Sequence, residues 1–222
     1  MSLAIFDLDN TLLGGDSDYL WGEFLCEEGL VDGAHFAAEN ERFYSDYKSG
    51  NLDILAYLRF ALGPLRGQPP AVLEAWHREF MRRKIAPLIL PEGLELLDKH
   101  RRLGDQLLII TATNAFITRP IATALGVAEL LACEGEIVDG LYTGEPAGVP
   151  SFGAGKVTRL NDWVALHGAS LDGAWFYSDS HNDLPLLEVV DNPVAVDPDE
   201  RLRAHAEQAG WPVISLRENW PG

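Results

Sequence analysis

Cysteine is scarce in this chain of 222 residues: there are two, Cys26 and Cys133, with no Cys-x-x-Cys spacing. That argues against a disulfide framework or a thiolate metal cage, and leaves two packed, reduced thiols of the kind found in the cytoplasm. Basic residues are also few, 17 against 34 acidic ones, for a formal net charge of −17. Such a surface repels nucleic acid and anionic membranes, because a phosphate backbone must be met by Lys and Arg. No apolar run approaches the roughly 18 residues that suggest a membrane span. The first apolar run has no basic segment before it and is interrupted by Asp7, so no secretory signal is expected. Internal repeats and low-complexity tracts are lacking too. A chain of this length buries a substantial core, and one domain with a sizeable insertion is the natural expectation.

What the chain does have is alternation. Residues 3–8 read as a buried parallel strand, after which Gly14-Gly15-Asp16-Ser17 breaks the pattern and offers a helix cap. From Ser17 to Ile85 strand signals vanish. Leu20, Phe24 and Leu25, then Phe36, Phe43 and Tyr47, then Leu55, Leu58 and Leu62 recur at helical spacing, which predicts three or four amphipathic helices. Beyond them the pattern predicts a strand at 107–111, a helix at about 115–125, a hairpin near 130–143 turning at Asp139-Gly140, and a helix at about 155–167. A strand at 174–178, a helix at about 183–189, a strand at 193–196, a helix at 199–208 and a strand at 213–215 follow. The fold class is α/β, a doubly wound parallel sheet. Residues 1–14 and 88–222 are expected to form its core, with 15–87 as an all-helical cap in the first insertion site.

The chemistry concentrates at strand ends. Ala4-Ile5-Phe6 runs into Asp7-Leu8-Asp9-Asn10-Thr11, and side chains two apart share a face, so Asp7 and Asp9 point together where open α/β sheets bind ligands. Adjacent carboxylates repel unless a cation or a shared proton holds them, which suits a nucleophile, a general acid/base and a hard metal ion. A second acidic cluster, Ser178-Asp179-Ser180-His181-Asn182-Asp183, follows the apolar run Ala174-Trp175-Phe176. Between them lie Thr111 at the end of an apolar strand, then Thr113 and Asn114, and Lys156 opening a helical stretch. Thr111 can donate its hydroxyl to a phosphoryl oxygen, and Lys156 can neutralise that group and Asp7. A nucleotide P-loop at Lys156 is excluded, because Pro150 and Val157 stand where it needs Gly and Ser or Thr. His181 is expected to face outward.

Taken in order, these segments resemble the motifs of the haloacid dehalogenase-like superfamily of phosphatases. The resemblance implies Asp7 as nucleophile and Asp9 as acid/base, with Mg²⁺ held by Asp7, Asp179 and the Asp9 main-chain carbonyl. It implies phosphate binding by Thr111 and Lys156, and Asn182 and Asp183 behind the metal, orienting its waters. It also implies a cap that closes over the site, hinged at Gly14-Gly15 and Pro87 to Pro91. Small-substrate relatives such as phosphoserine phosphatases place an acidic residue at the position of Asp16 and an Arg near that of Arg59. Both are candidate substrate contacts, as is Asn114. Ala112-Thr113-Asn114 replaces the glycines of the phosphoserine enzymes, and residues 15–21 look more like a bacterial subgroup containing histidinol-phosphate phosphatases. The expected substrate is therefore a small amino-alcohol phosphate, histidinol phosphate before phosphoserine. Two other readings use the same residues: a phosphotransferase or mutase, and a non-enzymatic signalling domain phosphorylated on Asp7. The second lacks a place for the helical block.

Overall fold

Burial along the first strand organises the molecule. β1 (Leu3–Phe6) is buried at all four positions. Successive side chains leave a strand on opposite faces, so Ala4 and Phe6 enter one core layer while Leu3 and Ile5 enter the other. The computed structural model describes residues 2–218 and Trp220. In it β1 is central to a sheet completed by β2 (Gln106–Asn114), β3 (Glu129–Val138), β4 (Leu141–Ala147), β5 (Trp175–Ser178), β6 (Asn192–Val196) and β7 (Val213–Ile214). The strand order is β4-β3-β2-β1-β5-β6-β7, parallel except for the β3–β4 hairpin. This is the doubly wound α/β architecture expected. Asp139 and Gly140 turn the hairpin with φ of 51° and 80°, the left-handed pair that a two-residue turn requires.

Between β1 and β2 lie α1 (Ser17–Glu27), α2 (Gly33–Ser49), α3 (Ile54–Leu62) and α4 (Pro70–Phe80). Pro64 and Pro70 sit in the first turns of a 3-10 turn and of α4, where a missing N–H is tolerated. The second half adds α5 (Pro91–Leu103), α6 (Ala115–Ala124), α7 (Ala154–His167), α8 (Leu184–Leu187) and α9 (Glu200–Ala209). The helix expected over 183–189 is shorter: a 3-10 turn at His181–Asp183 leads into four residues of α8. β2 runs on to Asn114, past its expected end, with a register shift against β3 between Ile110 and Asn114. Among the described residues, no helix is long and apolar enough to cross a membrane.

The helical block does not stand apart from the sheet. Trp21 of α1 is 1 % exposed and packs on Phe24, His77, Phe80 and Phe116, the last belonging to α6. His77 of α4 donates from Nε2 to the Ile117 carbonyl at 3.0 Å. The connecting segments are laced together by Gly14 N to Leu88 O (2.7 Å) and Leu90 N to Leu12 O (3.2 Å). The hairpin reaches back to the same block: Arg66 Nε donates to Thr143 O at 2.7 Å and Gly67 N to Tyr142 O at 2.9 Å. One apolar layer thus runs from Phe6 through Trp21, Phe80 and Ile121.

Because that layer is shared, Trp21→Ala is expected to destabilise the whole chain by about 3–5 kcal/mol, the cost of emptying a buried aromatic site. Urea denaturation followed by circular dichroism checks this. A transition that stays single but moves to lower urea is expected, whereas a new early transition confined to the helices would contradict the shared core.

Candidate active site

Strand register brings the motifs together. Phe6 pairs with Ile109 on one side and Tyr177 on the other, so the chain leaves β1, β2 and β5 at one level of the sheet. Asp7 follows directly, its N–H donating to Tyr177 O at 2.9 Å. Its carboxylate is buried, and Oδ1 accepts from Lys156 Nζ at 2.8 Å. Lys156 is 2 % exposed and also reaches both oxygens of Asp183 at 2.7 Å. Asp183 accepts in addition from Ser178 Oγ at 2.7 Å. Lys156 arrives here because α7 starts very close to the preceding loop: a Cβ on Gly155 would stand 2.1 Å from the Pro150 carbonyl oxygen, so glycine is required.

Burial pushes the Asp7 carboxyl up to about 7 against the pull of Lys156, with Asp183 and Asp9 adding to the rise. Burial also works against the charge on Lys156, but Asp183 and Asp7 overcome it and hold the ammonium above its usual range. The lysine therefore stays charged beneath Asp7. It lies under Asp7 rather than on the cavity wall, so its first effect is to fix and charge that carboxylate.

Asp9 is oriented from both sides. Oδ1 accepts from Ser17 N at the start of α1 (2.7 Å) and Oδ2 from Thr113 Oγ1 (2.8 Å). Burial and the neighbouring Asp16 raise it to about 7, partly offset by those donors. Thr113 is the group that aims Asp9. The Thr-x-Thr alternation carried that signal, since Thr111 and Thr113 share a face of β2. Thr111 is 1 % exposed, and its Oγ1 accepts from Thr113 N at 3.2 Å, which leaves its own proton for the cavity.

Asp179 accepts from Thr11 Oγ1 at 3.0 Å, joining the first and last motifs. Burial, Asp7 and Asp183 raise its carboxyl well above the ordinary range. It faces a neighbouring cleft of about 570 Å³ shared with Ser180, His181, Asn182 and Arg201. Asn182 donates from Nδ2 to the Tyr47 carbonyl at 3.2 Å, tying this loop to α2. His181 does not face outward as expected: Nδ1 lies 2.7 Å from Asp199 Oδ2, and the carboxylate at the start of α9 folds the ring inward. Among the described residues, no three His, Cys, Asp or Glu side chains already converge as a metal cage.

A narrow chamber with about 50 Å³ of free volume gathers Asp7, Asp9 and Thr111 with Asp16 and Asp18 of the α1 start. Tyr19, Phe43, Tyr44, Tyr47 and Tyr57 form its aromatic wall. Two candidate substrate contacts lie elsewhere. Arg59 is on the surface, its Nε 2.8 Å from Glu145 Oε2 on the hairpin, because β4 leans on α3 and captures it. Asn114 is buried as the N-cap of α6, accepting from Ile117 N at 3.3 Å, and is not on the chamber wall. Asp16 does line the chamber, but its Oδ1 accepts from Asp18 N (3.0 Å) and Tyr19 N (2.8 Å) as the cap of α1.

Residues 4–188 match the family model of the haloacid dehalogenase-like hydrolases. The chain belongs to that family. It is 46 % identical, over 97 % of its own length and 99 % of the relative's, to a Neisseria meningitidis protein named histidinol-phosphatase. It is 34 % identical to a Mycobacterium tuberculosis protein named phosphoserine phosphatase SerB1, over 96 % of this chain and 70 % of that one. A Bordetella pertussis structure described as of unknown function superposes with a TM-score of 0.91 at 44 % identity, covering 97 % of this chain and 98 % of that one. A substrate-bound phosphoserine phosphatase gives a TM-score of 0.72 at 18 % identity over 98 % and 95 % of the two chains, a likeness of fold alone. The chain is accordingly a phosphatase of the haloacid dehalogenase-like family.

Two measurements test this electrostatic arrangement in the metal-free phosphatase. Lys156→Ala leaves Asp7 and Asp183 buried without a cation and is expected to cost about 3–5 kcal/mol in chemical denaturation. The raised Asp9 pKa has a sign that can be checked. Folded Asp9 binds its proton up to about pH 7, whereas in the unfolded chain it loses it near 3.8. Its contribution to stability is thus present at low pH and is lost as pH rises through that window. Asp9→Asn removes the titration, so its melting temperature relative to the native chain should climb between about pH 4 and pH 8. A constant difference across that range would refute the assignment.

Proposed function

We propose that this phosphatase hydrolyses the phosphomonoester of a small amino alcohol through an aspartyl-phosphate on Asp7, histidinol phosphate being favoured over phosphoserine. The observation that carries this reading is the chamber itself: the paired carboxylates Asp7 and Asp9 open into the same space as an acidic, tyrosine-lined recess. The name of the Neisseria relative supports the same substrate.

In the first half-reaction Asp7 attacks phosphorus in line with the ester oxygen. The bond to Asp7 forms as the ester P–O bond breaks, and Asp9 gives its proton to the departing alkoxide. In the second, Asp9 takes a proton from water as the water oxygen attacks phosphorus. The bond to Asp7 then breaks, inorganic phosphate leaves, and Asp9 is again protonated. A group near pH 7 suits both roles, since it must hold a proton in one step and accept one in the next. Thr111 donates to a phosphoryl oxygen, and Lys156 pulls Asp7 toward the anion that attacks.

Lys156 is one ammonium for the carboxylates of Asp7 and Asp183, and both of these raise the carboxyl of the neighbouring Asp179. That excess of hard, negatively charged oxygen fits Mg²⁺, which takes one or two carboxylates and keeps waters rather than needing a protein cage. The Asp7 and Asp179 carboxylates and the Asp9 carbonyl would hold it, with Asp183 and Asn182 behind. Bound Mg²⁺ supplies positive charge against the phosphoryl oxygens. A cytoplasmic location suits the two free thiols.

A panel of phosphomonoesters, assayed for inorganic phosphate with Mg²⁺ and with chelator, tests the reading. Release from histidinol phosphate without any added acceptor is expected to exceed release from sugar phosphates, and to stop on chelation. Asp7→Asn should lose about 10³-fold or more while remaining folded. Phosphate release that depends on a second alcohol would instead indicate a phosphotransferase.

A further inference from the structure

Two aspartates, Asp16 and Asp18, face the chamber from the start of α1, and they are not equivalent. Asp16 has the backbone of an N-cap (φ −101°, ψ 110°), and its Oδ1 already accepts two amide protons. Asp18, two residues on, is 7 % exposed, yet its Oδ1 has no hydrogen-bond partner. A buried carboxylate oxygen without a donor is costly, and such an atom on a cavity wall points to a ligand that supplies the donor. Around it stand aromatic rings: Tyr19 and Tyr44 with centroids 4.8 Å apart, and Phe43 against Tyr57 at 5.3 Å. Burial pushes the Asp18 carboxyl up to about 7, and the Tyr57 hydroxyl that faces it pulls the other way, toward the charged form. Aromatic faces beside a carboxylate receive an organic cation, which gains from both and needs little water.

We propose that Asp18, backed by Tyr57 and the rings of Tyr19 and Tyr44, is the subsite that takes the ammonium of the leaving group. Asp16 then serves α1 as its cap. Asp18 becomes the specificity-determining residue, binding the alcohol moiety while Asp7 and Asp9 act on phosphorus. This assignment rests on the amino-alcohol reading above and names the residue that reads the amine.

The structure also says how to separate a ligand-binding carboxylate from a structural one. A structural Asp18 would stabilise the fold, whereas one waiting for a cation destabilises the empty protein. The test measures binding to the full chain by calorimetry at about pH 7.5, where the imidazole is mostly neutral. The probes are histidinol and its deaminated analogue, 3-(imidazol-4-yl)propan-1-ol. The native chain should prefer the amine by about 10-fold or more, the size of a charge-assisted hydrogen bond. Asp18→Asn should cut that preference below about 2-fold, and its ligand-free melting temperature should rise by about 2 °C or more. Asp16→Ala should keep the preference and melt lower, having lost a cap.

An Asp18→Asn chain that keeps the preference, melts lower or fails to fold would show the residue to be structural and overturn the subsite. That result leaves the substrate reading intact if the native enzyme still hydrolyses histidinol phosphate. A native chain that binds the amine through Asp18 but releases no phosphate from that ester supports the subsite and overturns the substrate reading. Equal binding of both probes by the native chain overturns both.

Discussion

Lys156 reaches Asp7 and Asp183 from the first turn of α7, in a place that water does not enter, and the site depends on that contact. Without the ammonium, two buried carboxylates would repel across a low-dielectric gap and the strand ends that carry them would have to part. With it, β1, the loop after β5 and the start of α7 are joined at a single nitrogen. Because Asp183 is anchored again by Ser178, the position of Asp7 is determined from two directions. Asp7 is thus held by sheet register on its backbone side and by an ion pair on its side-chain side, the preorganisation that the proposed in-line attack requires.

Much of this was legible in the order of residues. The i, i+2 spacing of Asp7 and Asp9 needs no tertiary information, and a strand ending in hydroxyls at Thr111 is a local pattern. The doubly wound sheet follows from the alternation of apolar runs with helical periodicity. What escaped was decided by distant partners. Arg59 looked available, but Glu145 lies 86 positions away on a hairpin whose lean over α3 leaves no local trace. His181 turned inward because Asp199, 18 positions on, starts a helix beside it. Asn114 is the opposite case: a polar residue just ahead of an apolar helical run is a cap signal in its own right, and its neighbours at the site drew attention away from it. Spacing pointed to Asp16 and also offered it as a helix cap, and the backbone angles show that it closes α1. Asp18 drew no notice, because nothing local marks a carboxylate oxygen that will lack a donor.

The continuous core alters how the helical block is understood. Trp21, Phe80 and Phe116 pack as one group, and His77 bonds to the main chain of α6, so α1 and α4 are built into the same layer as the sheet. α2 is held more lightly. Its buried residues are Asn40 and Phe43, and it lies between Gly29 and Gly50, both with positive φ. Tyr44 and Tyr47, two rings of the chamber wall, belong to it.

The chamber is narrow, with about 50 Å³ of free volume between the carboxylates and the tyrosine wall. Two of its rings, Tyr44 and Tyr47, are carried by α2, so the width of the space over Asp7 and Asp9 is set by how α2 seats rather than by the sheet. Any displacement of that helix changes the room beside the carboxylates while the strand ends that carry them stay in register.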